Sequence, residues 1–337
     1  MRSTIKLSRD VYIIASASVV GKHEDDGPLG GRFDVTDETG TDEFGAKTWE
    51  SAEGEMQRLA LSEALRKASM TDAELAAIFA GDLQNQCVGS AYGLLGFDAP
   101  YFGLYGACST CAEGLILASL ISSAYGLTTA AVASSHNCAA ERQFRYPVEY
   151  GGQRAPTAQW TVTGAGAFVL SADEKHRGSP KITEVLPGRS IDRGINDLNN
   201  MGAAMAPAAI DTLCRYFDET GRSPDSFDMI VTGDLGAEGS RILTEFLSAA
   251  GHDVSSRHAD CGLMIYDREK SDKHSGGSGC GCSASVLSAS ILPRMGVDLH
   301  DILFMATGAL MSPASVQQGN SIPGICHLLR ICADKRS

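Results

Sequence analysis

Two stretches of this 337-residue chain consist almost entirely of small and apolar residues, and each is opened by cysteines. The first runs from Cys108-Ser109-Thr110-Cys111 to Tyr125, with Glu113 as its only charge. The second runs from Gly279-Cys280-Gly281-Cys282 to Ser288 and carries none. A helix without a polar face does not lie on a surface; it belongs inside a large core. Each stretch is followed by an apolar strand, Thr129 to Ser135 in one case and Ile302 to Gly308 in the other. The repetition predicts an internally duplicated chain in which each half supplies one buried helix, with sheets on both sides of the pair.

The rest of the chain alternates in the same way. A buried strand is expected over Val11 to Val20. An amphipathic helix is expected over Glu53 to Ala68, with Met56, Leu59, Ala60 and Ala64 on one face. A short helix capped by Thr71, a strand over Ala77 to Gly81 and a loop to Gly106 follow, and Ala165 to Ser171 reads as another strand. The second half reads as a helix over Gly202 to Phe217, a strand over Met229 to Asp234, a helix over Ser240 to Ala250 and a short apolar piece from Gly262 to Tyr266. Strands alternating with helices imply a layered α/β protein, here with halves at 1–175 and 176–337. Residues 23–49 contain Asp25, Asp26, Asp34, Asp37, Glu38, Asp42 and Glu43 and read as a surface loop.

The net charge of −13, from 28 basic and 41 acidic residues, argues against nucleic acid as a partner and against adhesion to anionic lipid through a basic face. The ten cysteines are scattered, several in apolar contexts, as expected of free thiols in a reducing compartment. Zinc is a possible reading of the pairs Cys108/Cys111 and Cys280/Cys282. Both adjoin small-residue helical runs instead of polar knuckles, so no metal site is assigned. Arg2 and Lys6 precede the apolar run Val11 to Ala17, as in a secretory signal. Charge at Arg9 and Asp10 directly before that run favours a buried first strand. No run reaches the roughly 18 unbroken apolar residues of a membrane span; the best, Leu115 to Ala133, is interrupted by Gly126 and several Ser and Thr residues.

Cys108 lies where a glycine-bounded turn becomes a helix. Backbone N–H groups at a helix start favour an anion, so a thiol there ionises more readily and can attack a carbonyl. The alternative is a core helix that merely begins with cysteine, a residue type common in cores.

Gly106 to Gly114 resembles the nucleophile region of the thiolase and β-ketoacyl synthase superfamily. Thr163-Gly164-Ala165-Gly166-Ala167-Phe168-Val169-Leu170 is similar to its Gly-Ala-Gly-Ala strand. Longer strings narrow the resemblance: Ser134-Ser135-His136-Asn137, Phe144 to Gln153, Pro156 to Gly164, Gly276 to Cys282 and Thr307 to Pro313. Together they resemble the stage V sporulation protein AD family over nearly the whole chain. The resemblance implies a thiolase-like αβαβα fold and, by analogy with thiolases, a homodimer. It implies binding of dipicolinic acid (pyridine-2,6-dicarboxylic acid), with or without calcium, although nothing here looks like a dedicated calcium loop. It also implies integral membrane SpoVA proteins as partners, with a cytoplasmic-type chain attached peripherally to the spore inner membrane. The ligand would be taken up in sporulation and released in germination.

Thiolase-type condensation also needs a base and an oxyanion hole. By the resemblance, a histidine is expected within 232–236, where Asp234 stands, and an asparagine near Ser278. The cysteine is present without these partners, which implies a non-catalytic protein with no cofactor. The alternative is an acyltransferase using Cys108 as nucleophile, with His136, Cys280 or Cys282 as the base. The residues read as contacting a dicarboxylate are Cys108, His136, Asn137, Arg145, Gln159, Asp234, Ser278 and Ser312, with Trp160 as a flat wall.

Overall fold

The first strand sets the plan of the molecule. In the computed structural model, which describes residues 3–144 and 154–334, β1 (Ile5–Val20) is 16 residues long. Its second part pairs antiparallel with β5 (Gly164–Ser171), placing Val19 opposite Ala165. Its first part pairs antiparallel with β6 (Lys181–Leu186), placing Val11 opposite Ile182. One strand thereby joins the two halves. The first half adds β2 (Ala77–Gly81), β3 (Tyr101–Leu104) and β4 (Thr129–Ser135). The second adds β7 (Met229–Thr232), β8 (His258–Asp260), β9 (Asp301–Ala309) and β10 (Gly324–Cys332).

The order across the sheet is β8-β7-β9-β10-β6-β1-β5-β4-β2-β3, with the short strand Val35–Thr36 added beside β1. In each half the first strand is followed by the fifth, fourth, second and third. The directions repeat as well: two antiparallel pairings, then two parallel ones. The duplication read from the two cysteine-led helices is therefore present in the strand order.

The helices form three layers around these strands. α2 (Thr110–Tyr125) and α5 (Cys280–Val286, continued by a π-helical turn over Leu287–Ile291) lie in the centre. Cys111, Leu115, Cys282 and Val286 share one core there with Phe168, Phe304 and Leu329 from the strands. α1 (Trp49–Ala68) covers the outer face of the first half, with Met56 and Leu61 against Ile78 and Val132. α3 (Met201–Thr220) and α4 (Gly236–Ala249) cover the second half, with Leu213 and Leu243 against Ile230 and Leu303. Alternation along β9 sends Leu303 outward and Phe304 inward, as strand geometry requires. The architecture is αβαβα.

Close approach of α5 explains the Gly-Ala-Gly-Ala strand. A Cβ on Gly166 would lie 2.7 Å from the Ala284 carbonyl carbon, so a larger residue would push the helix away. Three expectations change. The stretch between Gly81 and Gly106, expected as loop, holds a helix over Val88–Gly93 and the edge strand β3. The 23–49 segment is not wholly a surface loop: Glu24 and Asp37 are buried and Val35 pairs with Val19. Ala107–Tyr125 is long and apolar enough to cross a membrane by length and composition, yet most of it is buried in the core.

Candidate functional site

The turn before α2 is locked by its own side chains. Ala107 has φ +51, a left-handed conformation disfavoured for a residue with a Cβ. Thr110 Oγ1 donates to the Ala107 carbonyl (2.7 Å) and accepts from the Gly106 N–H (3.0 Å). Ser109 Oγ donates to the Gly106 carbonyl at 2.6 Å. Gly308 on β9 lies against the turn, where a Cβ would meet Ser109 N at 3.1 Å. These contacts fix Cys108, 7% exposed, at the entry to the helix.

Asp234 faces it. The residue follows β7, and its carboxyl is hydrogen-bonded by the Cys108 side chain, by the Gly279 N–H at 2.9 Å and by Thr307 Oγ1 at 2.8 Å. Burial pushes the Asp234 carboxyl up to about 7, against the opposing pull of those donors. Asp260 holds the loop in place. It accepts from Thr232 Oγ1 (2.7 Å) and from the N–H groups of Leu235 (2.8 Å), Gly236 (3.2 Å) and Leu263 (3.2 Å). Gln159 Nε2 adds a staple to the carbonyls of Asp234 (2.6 Å) and Gly277 (3.0 Å). The Cys280 thiol donates to the Ser134 carbonyl at 2.8 Å, and burial pushes Cys280 and Cys282 well above the ordinary thiol range.

A pocket opens over Cys108. Its walls are Leu83, Ala140, Leu198, Met201, Ala309 and Met311, with Tyr105, Glu141, Thr161 and Ser278 as polar contributors. Tyr105, 42% exposed, stands at the mouth. Among the described residues that line it there is no histidine. Among the described residues no group of three or more His, Cys, Asp or Glu is arranged to hold a metal ion.

The match over the whole chain decides the family. Residues 1–332 fit the model of stage V sporulation protein AD (SpoVAD). The chain belongs to the SpoVAD family. Stage V sporulation protein AD of Bacillus subtilis (strain 168) is 40% identical over 329 residues, covering 97% of this chain and 95% of that protein. Among solved structures, cerulenin-bound OleA of Xanthomonas campestris superposes with a TM-score of 0.61 at 16% identity, over 97% of each chain. Acetamide-bound OleA gives 0.60 at 14% identity, over 97% of this chain and 99% of that one. At that identity the likeness shows the thiolase fold and nothing finer.

The SpoVAD-family strings do not all converge on the pocket. Cys108 and Ser278 line it, and Asp234 stands behind Cys108 with Gln159 behind Asp234. His136 points elsewhere: it is buried, its Nε2 is paired with the Asp42 carbonyl at 2.8 Å, and burial pushes its pKa down. Asn137 braces the strand carrying Thr161, donating to that carbonyl at 2.9 Å. Ser312 is exposed and caps the helix Pro313–Gln317, accepting from the Ser315 N–H at 3.1 Å; its neighbour Met311 reaches the pocket. Arg145 lies outside the described residues. Trp160 is covered by Arg154 at 4.7 Å and Lys273 at 4.8 Å from its ring centre.

Thr307, Asp260, Tyr105 and Arg154 went unseen in the sequence. Thr307 alone had a signal, since it opens one of the family strings. The roles of Asp260 and Arg154 depend on partners brought in by the fold.

Proposed function

We propose that this SpoVAD-family chain is a non-catalytic binding protein for dipicolinic acid, which it holds in the pocket over Cys108. In this reading it acts as a homodimer beside integral membrane SpoVA proteins at the spore inner membrane, in uptake of the ligand during sporulation and release in germination. The observation that carries the non-catalytic reading is the Cys108–Asp234 contact. A histidine that takes a thiol proton becomes a cation and pairs with the thiolate. A carboxyl never becomes a cation, so it supplies no such ion pair. Family membership supports the ligand class. A flat aromatic dicarboxylate needs an apolar slot and N–H or O–H donors, and the walls and the α2 entry are of that kind.

Calorimetry with dipicolinate, with and without calcium, tests this on the wild type, Cys108→Ser and Cys108→Phe. The serine variant keeps most of the affinity, because the backbone donors remain. The phenylalanine variant loses it, because its ring fills the pocket. Full binding by Cys108→Phe places the ligand elsewhere, and no heat and no rise in Tm with millimolar ligand refutes the reading. Intact-mass analysis after mixing with acyl-CoA thioesters should show no adduct. A stable Cys108 adduct together with a condensation product assigns acyl transfer instead.

A further inference from the structure

We infer that Glu24 and Asp42 share one proton, and that this proton latches the acidic 21–46 segment onto the body of the protein. Glu24 is 0% exposed. Its Oε1 accepts from the Tyr266 hydroxyl and from the Thr163 N–H (3.2 Å), whereas its buried Oε2 accepts from no described residue. Asp42 Oδ1 is likewise buried without a donor among the described residues. Both oxygens border the same space beside Gly21, where a built Cβ would lie 2.8 Å from Glu24 Oε2 and 2.5 Å from Asp42 Oδ1. A buried carboxyl beside a second carboxylate oxygen does not ionise readily, and an O–H on Glu24 Oε2 would give that oxygen a role and point a donor toward Asp42 Oδ1.

The surrounding charges leave that proton in place. Lys22 reaches Asp26, and His23 lies against Trp160. Asp25 accepts from the Gly31 N–H. Lys273 sits over the Tyr266 ring, not at the carboxyls. His136 holds the Asp42 carbonyl with Nε2, and burial keeps the nearby Cys138 and Cys282 thiols protonated. Two oxygens are too few for the six to eight that calcium takes. Burial first, and Asp42 in addition, push Glu24 from 4.5 up to about 7.

The latch reaches the pocket wall through His136, which directly precedes the helix Asn137–Phe144 that supplies Ala140 and Glu141.

Hydrogen exchange of the full chain from pH 5 to 8, corrected for intrinsic rates, tests the proposal. The closed state keeps the proton to about pH 7 and the open state only to about 4.5. Opening of 38–46, and with it 137–144, therefore rises about tenfold per pH unit up to pH 7 and then levels. Glu24→Gln removes the slope, since its amide donates to Asp42 and its carbonyl accepts from Tyr266 and Thr163. Asp42→Asn, at a less buried position, flattens the slope without abolishing it, since the burial of Glu24 remains, and carries the test if the first variant fails to fold. Opening independent of pH in the wild type, a slope that survives in Glu24→Gln, or one left unchanged in Asp42→Asn overturns the proposal. So does protection of the wild type by calcium or magnesium that both variants lose, which would assign the pair to a cation.

Discussion

Replacing Asp234 by asparagine isolates the energetics of the site. In the unfolded chain this carboxyl titrates near 3.8; in the folded protein burial holds it near 7. The native state therefore binds a proton that the unfolded state has lost across that interval. Its contribution to stability is full below pH 3.8, declines through pH 7 and is constant above. At about 1.4 kcal/mol per pH unit, the whole interval costs about 4 kcal/mol, and the part between pH 5 and pH 8 about 3 kcal/mol. Asparagine keeps the shape. Its Oδ1 accepts from the Gly279 N–H, and its amide donates to Thr307 Oγ1 and the Cys108 sulfur, both able to accept.

Urea unfolding of wild type and Asp234→Asn at pH 5, 6, 7 and 8 gives the two profiles. Glu24, Glu53 and Asp260 are also pushed up by burial and titrate in this region; subtracting one profile from the other removes their common slope. The difference should move in favour of the variant by about 3 kcal/mol from pH 5 to pH 8. A difference that does not change with pH would mean that Asp234 is ionised throughout, and the protonated carboxyl beside Cys108 would fall with it.

Glu184→Ala should cost about 3 kcal/mol in chemical denaturation. It removes the acceptor of the Tyr216 hydroxyl (2.6 Å) and of both Arg222 contacts (2.6 and 2.9 Å) at the join between β6 and α3, and one contact of Arg330 (3.3 Å), which keeps its pairing with Asp301. Gly281→Ala should lower stability by about 1–3 kcal/mol, read as a drop in Tm. The added methyl meets the Gly164 carbonyl and lies 2.7 Å from Ser135 N, where neither strand can retreat.

The central layer was the most legible part of the sequence. α2 and β4 are read within a residue because uninterrupted small and apolar runs end at Gly126 and at polar residues. β6 and β10 were missed for the opposite reason. Glu184 and Arg330 look like surface residues, and only pairing between the strands, with Arg222 and Asp301 nearby, makes them tolerable inside. Glu24 misled in the same way, since its Tyr266 partner is 242 residues distant. At the site, the turn at Cys108 was visible because it sits in a family string, and the departure at Asp234 because the resemblance expects a histidine within 232–236. His136 shares such a string yet faces the 21–46 segment, because a residue at a strand end can turn to either side.

The turn at Cys108 persists for reasons separate from chemistry. Ser109, Thr110 and Gly308 hold it, and the same contacts seat α2 between the sheets. A protein that lost catalysis would therefore keep the geometry, and Cys108 alone is weak evidence of an enzyme. The donors around it discriminate better. An oxyanion hole needs N–H or O–H groups aimed at the space where a substrate oxygen gains charge. Here the Gly279 N–H and the Thr307 hydroxyl are both spent on Asp234. With those donors committed to a protein carboxyl, a tetrahedral intermediate on Cys108 would have to find its stabilisation in the α2 entry alone. A ground-state ligand asks less of the same pocket: an apolar slot of the right width and a few donors at its end.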